Sequence, residues 1–208
     1  MARTVASTTQ GEAWVDLKRP VGDARSIAFI GHGAGGGVEA PDILVVTRAL
    51  LAHGVVVARV TQPYRVAGKR APVPAPRLDS AWLEVVSAVR RRRGLSALPL
   101  VFSGRSSGAR VACRTSAGLA DAVVALAFPL HPPGRPEKTR LDELDGVTVP
   151  TLVVQGDRDA FGQPPPRLSG GAPRAVLVIE GADHSLKRDA ATIASGVIEF
   201  LQALELAT

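Results

Sequence analysis

Apolar residues gather in short continuous runs, Ala13–Leu17, Ser26–Ile30, Val55–Val60, Leu100–Ser103, Ala122–Ala127, Thr151–Gln155 and Ala175–Ile179, parted by polar turns and by segments with helical spacing. A short run without polar interruption suits a strand buried on both faces, whereas a half-exposed strand alternates apolar with polar. The intervening segments predict helices over Ile43–Ala52, Leu78–Arg92, Ser107–Gly118 and Asp189–Leu206. In the last of these, Ile193, Val197, Phe200, Leu201 and Leu204 fall on one face, the pattern of an amphipathic closing helix. Strands alternating with helices predict an α/β architecture, a mostly parallel central sheet with helices on both faces. No internal repeat is evident.

One strand end carries distinctive chemistry. Leu98-Pro99-Leu100-Val101-Phe102 runs into Gly104-Arg105-Ser106-Ser107-Gly108, and a helical pattern with Ala109, Val111, Ala112 and Cys113 follows. G-x-S-x-G between a strand and a helix has the form of a nucleophile elbow, with the serine at a sharp corner and the glycines leaving room for neighbouring backbone. Ser106 holds the central place and Ser107 does not. The pentapeptide alone is a weak signal in a chain with 21 glycines, so the flanking strand and helix give it its weight.

A serine hydroxyl is a poor nucleophile unless a histidine takes its proton and a carboxylate orients that histidine. Gln155-Gly156-Asp157-Arg158-Asp159 follows one apolar run, and Gly181-Ala182-Asp183-His184-Ser185 follows the next. Ser106, Asp159 and His184 therefore stand in nucleophile, acid, base order, each just past the C-terminal end of a strand, where parallel sheets present functional loops. Asp157 competes with Asp159 for the role of acid. Coming directly after the strand, it also suits a bond to local turn backbone, so Asp159 is preferred.

The other histidines have plainer readings. His53, before Gly54, suits the C-terminal end of a helix, and His131, between Leu130 and Pro132, shapes a loop or stands at a pocket rim. His32 lies in Gly31-His32-Gly33-Ala34-Gly35-Gly36-Gly37, after the run Ile27-Ala28-Phe29-Ile30. An HG-x-G loop there suggests an oxyanion hole with the backbone amides of Ala34 and Ser107 as donors, His32 bracing the loop. Phosphate cradling is excluded on detail: there is no G-x-G-x-x-G opening a helix, no Walker lysine, and no acidic residue ending Val55–Val60.

Together these stretches resemble dienelactone-hydrolase-like α/β hydrolases, and more closely the small testis-expressed protein 30-like branch. The resemblance is carried by Gly31–Gly36, the elbow, Gln62-Pro63-Tyr64-Arg65-Val66-Ala67-Gly68-Lys69-Arg70, Phe128–Gly134 and Val154–Gly162. It implies the α/β-hydrolase fold with Ser106, Asp159 and His184 as triad, and no particular substrate. A domain of that branch also occurs in a subunit of a histone-acetylating complex, which keeps an assembly role in view. Ala160 departs from the pattern, where proline more usually follows the acid.

At 208 residues the chain suits a single domain, 1–208, with little or no room for a cap. No apolar stretch approaches the ~20 residues of a membrane span, and Met1 to Gln10 is too polar for a secretory signal. The lone cysteine, Cys113, fits a reducing cytoplasm and reads as a small buried residue. Neither paired cysteines nor clustered histidines offer metal-ligand spacing, so no metal and no cofactor are expected. The net charge is +6, and of 25 basic residues only Lys18, Lys69, Lys138 and Lys187 are lysines. Arg90-Arg91-Arg92-Arg93 ends a predicted helix, where cations favour the dipole; without interleaved aromatics it does not argue for nucleic acid.

Two long loops, Gln62–Arg77 and Pro129–Asp145, leave strand ends on the functional side, and each reads equally as pocket rim or as proline-stiffened connection. If the first lines the pocket, Arg65, Lys69, Arg70 and Arg77 favour an anionic substrate. The function expected is a cofactor-independent serine hydrolase cleaving a small ester, lactone or thioester through an acyl-enzyme. The alternative is a non-catalytic binding or assembly module that keeps the fold. Substrate identity and oligomeric state are not legible.

Overall fold

In the computed structural model of the protein, residues 3–167 and 171–208 are described. Eight strands, β1 (Arg3–Thr8), β2 (Gly11–Lys18), β3 (Ser26–Gly31), β4 (Val55–Thr61), β5 (Leu100–Arg105), β6 (Ala122–Leu126), β7 (Thr151–Gly156) and β8 (Arg174–Ile179), form one sheet in the order β1-β2-β4-β3-β5-β6-β7-β8. β1 pairs antiparallel with β2, and β2 with β4; all later pairings are parallel. Among the described residues six helices accompany them: α1 (Pro41–Ala52), α2 (Pro63–Val66), α3 (Ala75–Arg90), α4 (Ser107–Thr115), α5 (Leu141–Asp145) and α6 (Ala190–Gln202).

The continuous apolar runs are explained by burial on both faces. Ile27 and Phe29 of β3, with Leu100 and Phe102 of β5, pack with Trp82 and Val85 of α3 and Ala109 and Ala112 of α4. Ala28, Ile30 and Val101 point the other way, into a second core with Ile43, Val46 and Leu50 of α1 and Ile193, Val197 and Leu201 of α6. Edge-to-face contacts join Phe29, Trp82 and Phe102 at centroid separations of 5.5 to 6.5 Å.

Several boundaries differ from the sequence expectation. β1 was not expected, because its residues are largely polar and only Ala6 is buried. α3 begins at Ala75 and not Leu78, since Pro76 occupies its first turn, where no amide donor is needed. It ends at Arg90, leaving Arg91 and Arg93 exposed in the following turn. α4 stops at Thr115 and not Gly118: Thr115 Oγ1 bonds the Val111 carbonyl and Ser116 Oγ that of Cys113. α6 stops at Gln202 and not Leu206, closed by left-handed Glu205 (φ 60°) and the Leu206 amide donating to the Leu201 carbonyl.

The strand order fixes where chemistry can occur. β3 lies between β4 and β5, the point at which the order reverses, and its last residue, Gly31, is paired in register with Gly104 of β5. The glycine loop after β3 and the Ser106 corner after β5 thus leave the sheet side by side, at the kind of crevice where open α/β sheets bind ligands.

Candidate active site

Ser106 has φ 54° and ψ −111°, a left-handed conformation unusual for a residue with a Cβ. The corner is held by the Ser106 amide donating to the Leu126 carbonyl (2.9 Å) and by its carbonyl receiving the Arg110 amide (3.2 Å). The flanking glycines permit it. A Cβ on Gly104 would run into the Gly108 backbone, and one on Gly108 would come within 2.6 Å of the Gly31 carbonyl carbon. No side chain fits where α4 crosses the ends of β3 and β5.

His184 reaches this corner from the loop after β8. Its Nε2 is 2.9 Å from Ser106 Oγ, and its Nδ1 is 2.8 Å from Asp159 Oδ2. Asp159 is fully buried at its side chain, while the His184 ring is 22% exposed, so the imidazole separates a dry carboxylate from an accessible hydroxyl. The carboxylate has two further donors: the Phe161 amide on Oδ1 (2.8 Å) and Gln155 Nε2 on Oδ2 (2.8 Å). Asp157, in the same turn, is exposed. Phe161 lies against the imidazole at a centroid distance of 4.2 Å.

The glycine loop curls over the serine. A Cβ on Gly33 would be 3.6 Å from Ser106 Cβ. Ala34 is fixed from behind by Tyr64, whose hydroxyl donates to the Ala34 carbonyl (2.8 Å). Ser107 is the first residue of α4, so its amide has no acceptor within the helix and is free to point at a ligand. His32 braces the loop through both ring nitrogens: Nδ1 is 2.8 Å from the Gly33 carbonyl, and Nε2 accepts from the Gln62 amide at 3.1 Å. That pair of partners requires the neutral Nδ1–H tautomer, and burial lowers the pKa of His32 accordingly.

The Gln62–Arg77 segment is more ordered than a loop. Pro63–Val66 form α2, and the last three residues open α3. Gln62 and Tyr64 wall a small cavity beside Ser107 with His32 and Trp82, and they also border a second one that Lys69 and Arg77 line farther out. The Pro129–Asp145 segment borders the Asp159 loop: the His131 amide donates to the Phe161 carbonyl, and the His131 ring packs against Gly162. His53 caps α1, its Nδ1 2.8 Å from the Ala49 carbonyl. Cys113 is buried, and burial pushes its thiol up to about 12.

Three contributors were invisible in the sequence. Gln155 and Phe161 flank Asp159 and His184, and Arg105 reaches the His184 carbonyl through Nη2 at 2.9 Å. A buried polar residue on an apolar strand, as Gln155 is on β7, was the one available signal.

An alpha/beta hydrolase domain model matches residues 24–200. The chain belongs to the alpha/beta hydrolase family. A search of curated proteins finds no match to this sequence. Among solved structures, Est1E from Butyrivibrio proteoclasticus is similar at 17% identity and TM-score 0.75, with 98% of each chain covered. XC6422 from Xanthomonas campestris, described as a serine hydrolase without lid, is similar at 20% identity and TM-score 0.74, over 100% of this chain and 96% of its own. A dienelactone hydrolase from Anabaena variabilis follows at 19% identity and TM-score 0.73, over 97% and 96%. Loops at the C-terminal ends of the parallel strands carry these polar groups, and a hydroxyl bonded to an imidazole backed by a carboxylate is an arrangement that can give up its proton in a nucleophilic attack.

Proposed function

We propose that this alpha/beta hydrolase is a serine hydrolase that cleaves a small ester, lactone or thioester through an acyl-enzyme on Ser106. The observation that carries this reading is the hydrogen-bonded series from Ser106 Oγ through His184 to Asp159, at 2.9 and 2.8 Å. Attack of Oγ on the substrate carbonyl sends the hydroxyl proton to His184 Nε2, and the imidazolium formed is held by the Asp159 carboxylate. The amides of Ala34 and Ser107 receive the oxyanion. His184 then protonates the departing alkoxide or thiolate. A water, deprotonated by the same nitrogen, releases the acid and restores Ser106.

The dienelactone-hydrolase-like character, the testis-expressed protein 30-like branch and a single domain over 1–208 belong to the same reading. Small-molecule substrates suit a site over which the described residues build no separate cap. No helix among the described residues is long and apolar enough to cross a membrane, and the lone buried Cys113 is consistent with the cytoplasm.

The test is labelling of purified protein with a fluorophosphonate probe beside Ser106→Ala and His184→Ala, with peptide mapping of the adduct. Labelling at Ser106 that both variants abolish is expected. A folded wild-type protein that takes no label overturns the assignment in favour of a binding or assembly module.

A further inference from the structure

Arg105, the residue before Ser106, ends β5 with its side chain on the α1 side of the sheet. Its guanidinium touches three separate segments. Nη2 donates to the His184 carbonyl at 2.9 Å. Nε lies 3.0 Å from Oδ2 of Asp42, in the first turn of α1. Nη1 lies against Gly33, where a Cβ would stand 3.0 Å from it. One planar cation thus spans the base loop, the start of α1 and the glycine loop while being covalently next to the serine.

We infer that Arg105 is a positioning residue that sets the height of His184 over Ser106. The imidazole is fixed from its side by Asp159, but the loop that carries it, Gly181–Ser185, leaves β8, which β6 and β7 separate from β5. A shift of that loop changes the 2.9 Å separation between Nε2 and Oγ. The bond from Arg105 to the His184 carbonyl ties the loop to the residue adjoining the nucleophile, so base and serine share one reference point. Only a fork of several donors can do this while meeting a carboxylate; a lysine ammonium is a single point.

Asp42 makes the arrangement tenable. Its carboxylate is fully buried and Arg105 is 18% exposed, so neither charge is well hydrated and each needs the other. The contact is an ion pair made through Nε at 3.0 Å. Asp42 therefore neutralises Arg105 and leaves its Nη2 donor to the His184 carbonyl.

This inference rests on Ser106 being the nucleophile, and the experiment separates the two claims. The saturable labelling of Ser106 by a fluorophosphonate is resolved into the binding constant Ki and the chemical rate kinact for wild type, Arg105→Lys and the pair Arg105→Met with Asp42→Asn. Thermal unfolding is followed in parallel. Arg105→Lys keeps a cation beside Asp42, and the double variant removes both buried charges, so both are expected to stay folded. Both should lose about 10²-fold in kinact with Ki unchanged, the cost of a base misplaced by about 1 Å. Wild-type kinact in either folded variant, or a loss confined to Ki, overturns the role of Arg105 alone. Absence of label on the wild type overturns both claims.

Discussion

Gln155 Nε2 donates to Asp159 Oδ2, the same oxygen that lies 2.8 Å from His184 Nδ1. The amide also reaches the carbonyls of Gly162 (2.8 Å) and Phe128 (3.3 Å), so one buried side chain pins the Asp159 carboxylate, its loop and the segment after β6. A carboxylate held this way cannot rotate away from the imidazole.

Two substitutions separate the carboxylates of that turn. Asp159→Asn should lower the rate of Ser106 labelling by about 10⁴-fold, because the amide stabilises the wrong imidazole tautomer. Asp157→Asn, at an exposed position, should leave it unchanged. Gln155→Leu should fall between, at roughly tenfold, the worth of one hydrogen bond to a charged group of about 1.5 kcal/mol. Equal losses in the two Asn variants would undo the assignment.

The glycines of the corner should tolerate no methyl group. Gly108→Ala would bring Cβ within 2.6 Å of Gly31 backbone and 2.9 Å of the His32 carbonyl, and backbone cannot yield as a side-chain tip can. Urea unfolding should show a loss of about 3 kcal/mol. Gly37→Ala, with open space around it, should stay near wild type.

His32 should make stability fall in weak acid. Burial holds its pKa below 6.5, so above that value folded and unfolded chains are both neutral and its contribution is complete. As the pH drops below 6.5, the unfolded chain takes up a proton that the folded chain refuses, and stability declines until the folded pKa is reached. Protonation would also turn the acceptor facing the Gln62 amide into a donor. Unfolding measured at pH 7, 6 and 5 should be less steep in His32→Asn, by up to about 1.4 kcal/mol per pH unit.

Glu143 should act at lower pH. Burial alone would raise its pKa, but Arg110 (2.8 and 2.5 Å) and Arg114 (3.1 Å) outweigh that and hold it below 4.5. Its stabilisation is present above 4.5 and is lost as the pH falls through the lower folded value. Glu143→Gln should cost about 1 kcal/mol at pH 7, kept small by partial solvent screening, and the gap from wild type should close in acid.

The parallel strands were legible because burial on both faces leaves a continuous apolar run, and the corner because G-x-S-x-G has a steric cause. The strand β1 was hidden by the polarity of Arg3-Thr4 and Ser7-Thr8. The start of α3 was hidden by Pro76, which reads as a breaker unless its place in the first turn is known. Between Asp157 and Asp159 the sequence offered only proximity to the strand; the side chain's direction follows from the Asp159 amide turning back to the Gly156 carbonyl (3.2 Å), a bond that no pattern of residue types encodes. Arg105 and Asp42 belong to segments far apart in the chain, and a pairing of that kind appears only once the strand order is known.

The left-handed backbone of Ser106 carries one further implication. Glycine adopts that conformation without the cost a side chain incurs there, on the order of 1–3 kcal/mol. A Ser106→Gly protein is therefore a sturdier molecule without its hydroxyl, and screens of random variants for heat resistance should enrich it. Selection on robustness alone would erase this serine; its upkeep draws on the margin that the rest of the sheet supplies.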